Sequence, residues 1–122
     1  MKRGILAIVL VMTAATTPAQ PRVRVTGIYS DMRYIQQAGD VLGTEVFIVA
    51  DDGGYSAVVQ IAQGIPAVPV VVPATVKGIT VSFSLPDVKF DGHVTRTALV
   101  GTLRSALGSA PVSLRRGKSY WQ

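Results

Sequence analysis

The sequence predicts an all-β protein, an antiparallel barrel of seven or eight strands in up-and-down order, behind an N-terminal leader. Three observations carry this. Apolar and polar residues alternate with a period of two through most of the chain. Turn-forming Gly, Asp and Ser recur at short intervals. No segment shows a sustained apolar period of 3.6. Residues 20–122 form a single domain on this reading, and a two-sheet β-sandwich is the alternative architecture.

The leader comes first. Lys2 and Arg3 are followed by an uncharged run from Gly4 to Ala15, then by Thr16-Thr17-Pro18-Ala19. A charged start, a short apolar stretch and small residues at a cut after Ala19 make a secretory signal over residues 1–19. The apolar run is shorter than the ~20 residues that span a bilayer. The expectation is therefore an exported protein, periplasmic or secreted, with no stable membrane anchor once the signal is cleaved.

Within the domain, Val23 and Val25 alternate with Arg22, Arg24 and Thr26 and open a strand over 22–30. Met32–Ala38 has room for one helical turn. A strand over 41–50 reaches the Asp51-Asp52-Gly53-Gly54 turn, whose glycines allow the backbone of a tight hairpin. Tyr55, Ala57, Val59 and Ile61 then share one face of a strand over 55–63. Pro66, Pro69 and Pro73 interrupt the next stretch of chain. Proline donates no backbone hydrogen bond, so 64–69 reads as an irregular loop entering an edge or bulged strand over 68–76. Ile79, Val81, Phe83 and Leu85 give the cleanest alternation, a strand over 79–85. Strands over 92–98, 99–106 and 110–116 complete the count.

The chain has no cysteine, so packing alone must hold the domain. A chain of this length buries enough surface for that. The formal charge is +5, but Lys2 and Arg3 belong to the leader and the domain itself is less basic. There is no long basic stripe with interleaved aromatics, so nucleic acid is not an expected partner.

Gly27-Ile28-Tyr29 resembles the Gly-x-aromatic opening of calycin-type barrels, the lipocalin and streptavidin group. That resemblance implies a barrel whose last strand supplies a basic residue, Arg115 or Arg116, to stack on an aromatic at the closed end. The usual Trp of the first strand is missing. A broader pattern is similar to small exported proteobacterial proteins without assigned function. It comprises Gly27–Ser30, Arg33-Tyr34, Gly39-Asp40, Gly43-Thr44-Glu45, Gly54-Tyr55 and Arg116-Gly117-Lys118-Ser119-Tyr120-Trp121. It implies export and a barrel, and no activity.

Catalytic chemistry finds little to stand on. His93 is the single histidine. Asp87, Asp91 and His93 are close enough in sequence to consider as metal ligands, but the turn and strand roles of those residues suffice. Asp40 and Glu45 flank Gly43 as a carboxylate pair, with turn capping the simpler explanation. No Gly-x-Ser-x-Gly elbow is present. The expected function is thus non-enzymatic binding, with no cofactor and no metal. The candidate binding residues are Tyr29, Arg33, Tyr34, Tyr120 and Trp121, because Tyr and Trp join a large apolar area to a polar tip. The same aromatics could instead plug one end of the barrel and secure the C-terminus. The expected partner is a small apolar ligand at the barrel mouth or, alternatively, an envelope protein such as an exported hydrolase that the domain inhibits.

Overall fold

The computed structural model describes residues 4, 7–13 and 22–122. The rest of the leader, including the expected cut after Ala19, lies outside the described residues. Among those described there is no helix. Nine strands follow one another: β1 (Gly27–Ser30), β2 (Arg33–Ile35), β3 (Asp40–Asp51), β4 (Gly54–Gly64), β5 (Val70–Lys77), β6 (Thr80–Ser84), β7 (Lys89–Val94), β8 (Ala98–Ser105) and β9 (Gly108–Arg116). Each of β3 to β9 pairs antiparallel with the next, and β1 pairs with both β3 and β9. Eight strands therefore close into an up-and-down barrel, with β2 as an extra strand on β3. Closure rules out the sandwich.

β1 and β2 are two pieces of one strand. Ser30 faces Glu45 and Arg33 faces Leu42, so the register along β3 continues without a slip. The break falls at Asp31. Its N–H donates to the Thr44 carbonyl at 3.1 Å, and its Oδ1 accepts the Thr44 N–H at 2.6 Å. A carboxylate thus replaces a backbone carbonyl, and the chain bends away from β9. Opposite the bend, Gly43 has φ +119, and a Cβ there would lie 2.6 Å from the Asp31 carbonyl oxygen. Only glycine fits such an approach.

The alternation read from the sequence sorts residues as the barrel needs. Tyr29, Val46, Ile48, Ala57, Val59, Val81, Phe83, Phe90, Val94, Leu99 and Leu114 point inward and form the core. Phe83 and Phe90 stack with centroids 5.0 Å apart. The Phe90 ring also lies against two glycines in register, Gly92 and Gly101, where any Cβ would strike it. An aromatic covering a cross-strand glycine pair restores the packing those glycines lack.

One end of the barrel is sealed. The β3–β4, β5–β6 and β7–β8 turns lie there, and residues 22–26 cross it. Val25 is buried and Val23 packs on the core. The expected strand over 22–30 is thus paired only from Gly27; its first half alternates because it lies against the core, not against another strand. The Tyr29 hydroxyl donates to the Val25 carbonyl at 2.6 Å. Arg116 lies over the Tyr29 ring, 5.4 Å from its centroid, and Nη2 donates to the Thr26 carbonyl at 2.8 Å. It is Arg116, not Arg115, that makes this stack.

Two other expectations are corrected. Met32–Ala38 is a helical turn only in its second half: β2 occupies 33–35, and a single α-turn, in which the Ala38 and Gly39 N–H groups donate to the Ile35 carbonyl, carries the chain into β3. The strand expected over 92–98 runs instead from Lys89 to Val94. Thr95 ends it, because its Oγ1 accepts the N–H groups of Thr97 and Ala98 and so builds a turn in place of a ladder.

The two prolines inside strands, Pro73 and Pro111, sit where no donor is missed. At Pro73, β5 pairs with Ser56 of β4, while its ladder to β6 starts only at Ala74. At Pro111 the nitrogen faces the free edge of β9. Arg116 N–H goes to the β8 side and Gly117 N–H to β1, and the alternation puts residue 111 with 117. That edge is free because β1 pairs with β9 only at residues 115 and 116. Proline there also discourages pairing with a foreign strand.

Candidate functional site

The end opposite the seal is open. Here β2, the continuation of β1, stays on β3 and does not pair with β9, so no ladder joins β3 to β9 at this end. A cleft of about 400 Å³ occupies the space. β3 contributes Thr44, β4 Ile61, β8 Leu103 and β9 Ala110, with Val88 and Leu107 at its rim from the β6–β7 and β8–β9 turns. Next to it Phe83 and Phe90 fill the interior, since Phe90 is in register with Leu103. Thr44 is buried and is the one buried polar side chain of the described core. Leu107, by contrast, is fully exposed at the tip of its turn. The lining is mostly aliphatic, with the polar residues Thr44, Gln63, Ser105 and Ser109 and no charged side chain, so the cleft suits apolar surface.

The residues singled out from the sequence fall in three places, and none of them lines this cleft. Tyr29 is fully buried at the sealed end. Burial pushes its phenol pKa up, while the nearby Arg116 charge acts in the opposite direction. Arg33 and Tyr34 lie on β2, beyond the mouth. Arg33 Nη1 donates to the Asp31 carbonyl at 3.2 Å, and Tyr34 is 57% exposed. Tyr120 and Trp121 lie on the outer wall, edge to face at 5.0 Å. The structure therefore brings Tyr120 to Trp121 and Tyr29 to Arg116, but does not gather the set.

The outer wall holds a second depression, of about 420 Å³. Ile28, Phe47 and Val58 form its base on β1, β3 and β4, and Pro69 and Trp121 its sides. The C-terminal tail is pinned across it. Both oxygens of Glu45 are used: Ser119 Oγ donates to Oε1, and the Tyr120 N–H donates to Oε2 at 2.8 Å. Trp121 Nε1 donates to Gln60 Oε1 at 2.7 Å. Phe47 and Val71 remain exposed beside it. Glu45 is thus a tail anchor rather than half of an acid–base pair; Asp40 sits apart, opposite Ile35. Asp91 and His93 are outward residues of β7 opposite Thr102 and Val100, and Asp87 belongs to the β6–β7 turn.

Sequence reasoning missed the cleft residues. Ile61 and Leu103 carried the signal of inward alternation, but nothing local marks an inward residue as lining a gap instead of a core. Asp31, which creates the gap, has no motif around it. A comparison with protein-family models, curated proteins and solved structures finds no match to this chain.

Proposed function

We propose that the protein is an exported, non-enzymatic binding module that holds a small apolar molecule in the open mouth of its barrel. The observation that carries this is the aliphatic cleft left where β3 and β9 part, in a barrel otherwise filled by side chains. An eight-stranded barrel has room for a packed interior or one small ligand; here the sealed half has the first and the mouth leaves space for the second. The resemblance of Gly27-Ile28-Tyr29 to the calycin opening and the signal-like residues 1–19 support the same reading. The Thr44 hydroxyl, on the inward face of β3, would orient a polar end of the guest.

Native mass spectrometry of the protein purified from its own export compartment tests this. An added mass of small-molecule size is expected, and Ala110→Trp, which fills the cleft, removes it. A bare protein mass, or an adduct indifferent to Ala110→Trp, sinks the proposal.

The apolar outer wall favours a second reading, a protein-binding module of the envelope such as an inhibitor of an exported hydrolase. Phe47, Val71 and Trp121 are large, exposed and adjacent to one depression, which is unusual for a surface with no partner. Phe47→Asp would abolish capture of such a partner without changing an adduct at the mouth.

A further inference from the structure

Basic residues far apart in the sequence are gathered by the fold at the sealed end. Arg22 and Arg24 lie on the segment that seals the barrel, beside the Gly78–Ile79 tip of the β5–β6 turn. Lys77 opens that turn. Arg96 sits in the β7–β8 turn and shares a concavity with Arg115 and Arg116 of β9. Arg22, Arg24, Lys77, Arg96 and Arg115 are all exposed. At this end the acidic residues are Asp51 and Asp52, confined to the β3–β4 turn. Asp51 is exposed, and its carboxylate accepts from Ser56 Oγ at 2.6 Å and from the Gly53 N–H at 3.0 Å on its own hairpin.

The opposite end is balanced. Arg33, Lys89 and Arg104 share it with Asp31, Asp40 and Asp87. The barrel therefore carries a charge asymmetry along its axis, and the sealed end is net positive, its basic residues outnumbering Asp51 and Asp52.

From this geometry we infer that the sealed end is a docking surface for an anionic phospholipid bilayer. Charge complementarity selects an anionic partner, and the character of the intervening residues selects the lipid. Ile79, 46% exposed at the β5–β6 tip, stands between Lys77 and the Arg22–Arg24 segment, an aliphatic point among cations such as an interfacial surface uses. A nucleic acid would find no stacking platform: Tyr55, the nearest aromatic, is only partly exposed. Docked this way the barrel stands on its sealed end with the open mouth turned away from the membrane.

The test is co-sedimentation of the full chain with vesicles of phosphatidylcholine alone and of phosphatidylcholine with about 30% phosphatidylglycerol, a composition chosen to give a strong surface potential. Wild type is expected to partition to the anionic vesicles at least ten-fold better, and to lose that preference at high salt. The Lys77→Glu/Arg96→Glu/Arg115→Glu variant is expected to lose at least ten-fold in partitioning, since each basic residue near such a surface is worth about five-fold. Lys89→Glu/Arg104→Glu, at the other end, is expected to stay near wild type. Residues 1–21 are common to all three proteins, so whatever they contribute cancels in the ratio of each variant to wild type, which is the ratio that decides. Equal partitioning of wild type to both vesicles overturns the inference, as does a triple variant that binds like wild type or a mouth-end variant that loses as much. If the triple reversal fails to fold, Arg96→Gln/Arg115→Gln serves in its place, with a loss of several-fold expected and no loss counting against the surface. Retention on heparin without vesicle binding also overturns it.

Discussion

The two ends of the barrel are made by the same strands, and they end in opposite ways. At the sealed end the ladders run to the turns, residues 22–26 cover the opening, and Tyr29, Val25, Thr26 and Arg116 satisfy one another's polar groups. At the mouth, Asp31 bends β1 away from β9, the closing ladder stops after two pairs, and aliphatic side chains face a cleft instead of each other. The difference lies first in the partners, and the strands add to it: the mouth ends carry Thr44, Ser105 and Ala110 where the sealed ends carry Ile48, Val94 and Leu99. An inward-facing side chain stabilises a barrel only when another element arrives to cover it. Where none does, the same residue becomes the lining of a site.

Substitutions can break or sharpen this contrast. The largest effect is expected at Phe90, which stacks on Phe83 and covers Gly92 and Gly101. Phe90→Ala should lower stability by ~3–5 kcal/mol in urea denaturation, whereas Leu107→Ala at the mouth should change it by no more than about 0.5 kcal/mol. Similar losses from the two would mean that the mouth is part of the core, and the contrast would fail.

Next is the bend. Gly43→Ala introduces a Cβ 2.6 Å from the Asp31 carbonyl oxygen at φ +119, and should destabilise by ~1–3 kcal/mol. Wild-type stability for this variant would show that the bend tolerates a side chain and is not fixed by sterics.

A smaller change is expected from Tyr29→Phe, about 1 kcal/mol for the hydroxyl bond to Val25. This variant also carries a pH signature. Because burial raises the Tyr29 pKa, the folded protein holds that proton more tightly than the unfolded chain. The contribution is complete below about pH 10 and is lost as pH climbs through the raised value. Melting temperatures recorded across alkaline pH should fall more steeply for wild type than for Tyr29→Phe; parallel curves would show that Tyr29 titrates as it does in the unfolded chain.

The smallest effect concerns Asp51. Its hydrogen bonds to Ser56 and to the Gly53 N–H hold its carboxyl below the usual range. That contribution is present at neutral pH and fades as acid titrates the group through its lowered pKa. Asp51→Asn should flatten the acid side of the stability profile slightly, and an unchanged acid limb would argue that the turn does not use the charge.

Much of the barrel was legible in residue order. Tyr55, Ala57, Val59 and Ile61 alternate, and they do point inward. The Asp51–Gly54 turn is the hairpin its residues suggest. β7 was harder, because Lys89, Asp91 and His93 leave few apolar residues and Gly92 looks like a break; only the Phe90 ring across the neighbouring Gly101 makes that segment a good strand. The aromatics were easy to notice and hard to place. Tyr29 and Trp121 differ little as side chains, yet one is sealed in the interior and the other lies on the outer wall.

By itself, then, the sequence determined the class of fold, the approximate number of barrel strands and most inward faces, but not β2, because a period of two is a local property of the chain and a three-residue strand is too short to show it. Tertiary structure alone decided that eight strands close, that β1 and β3 part from β9, which end is sealed, and that basic residues far apart in the chain meet at that end. Those outcomes depend on which strand reaches which neighbour, and pairing over long separations leaves no mark on any short stretch of residues.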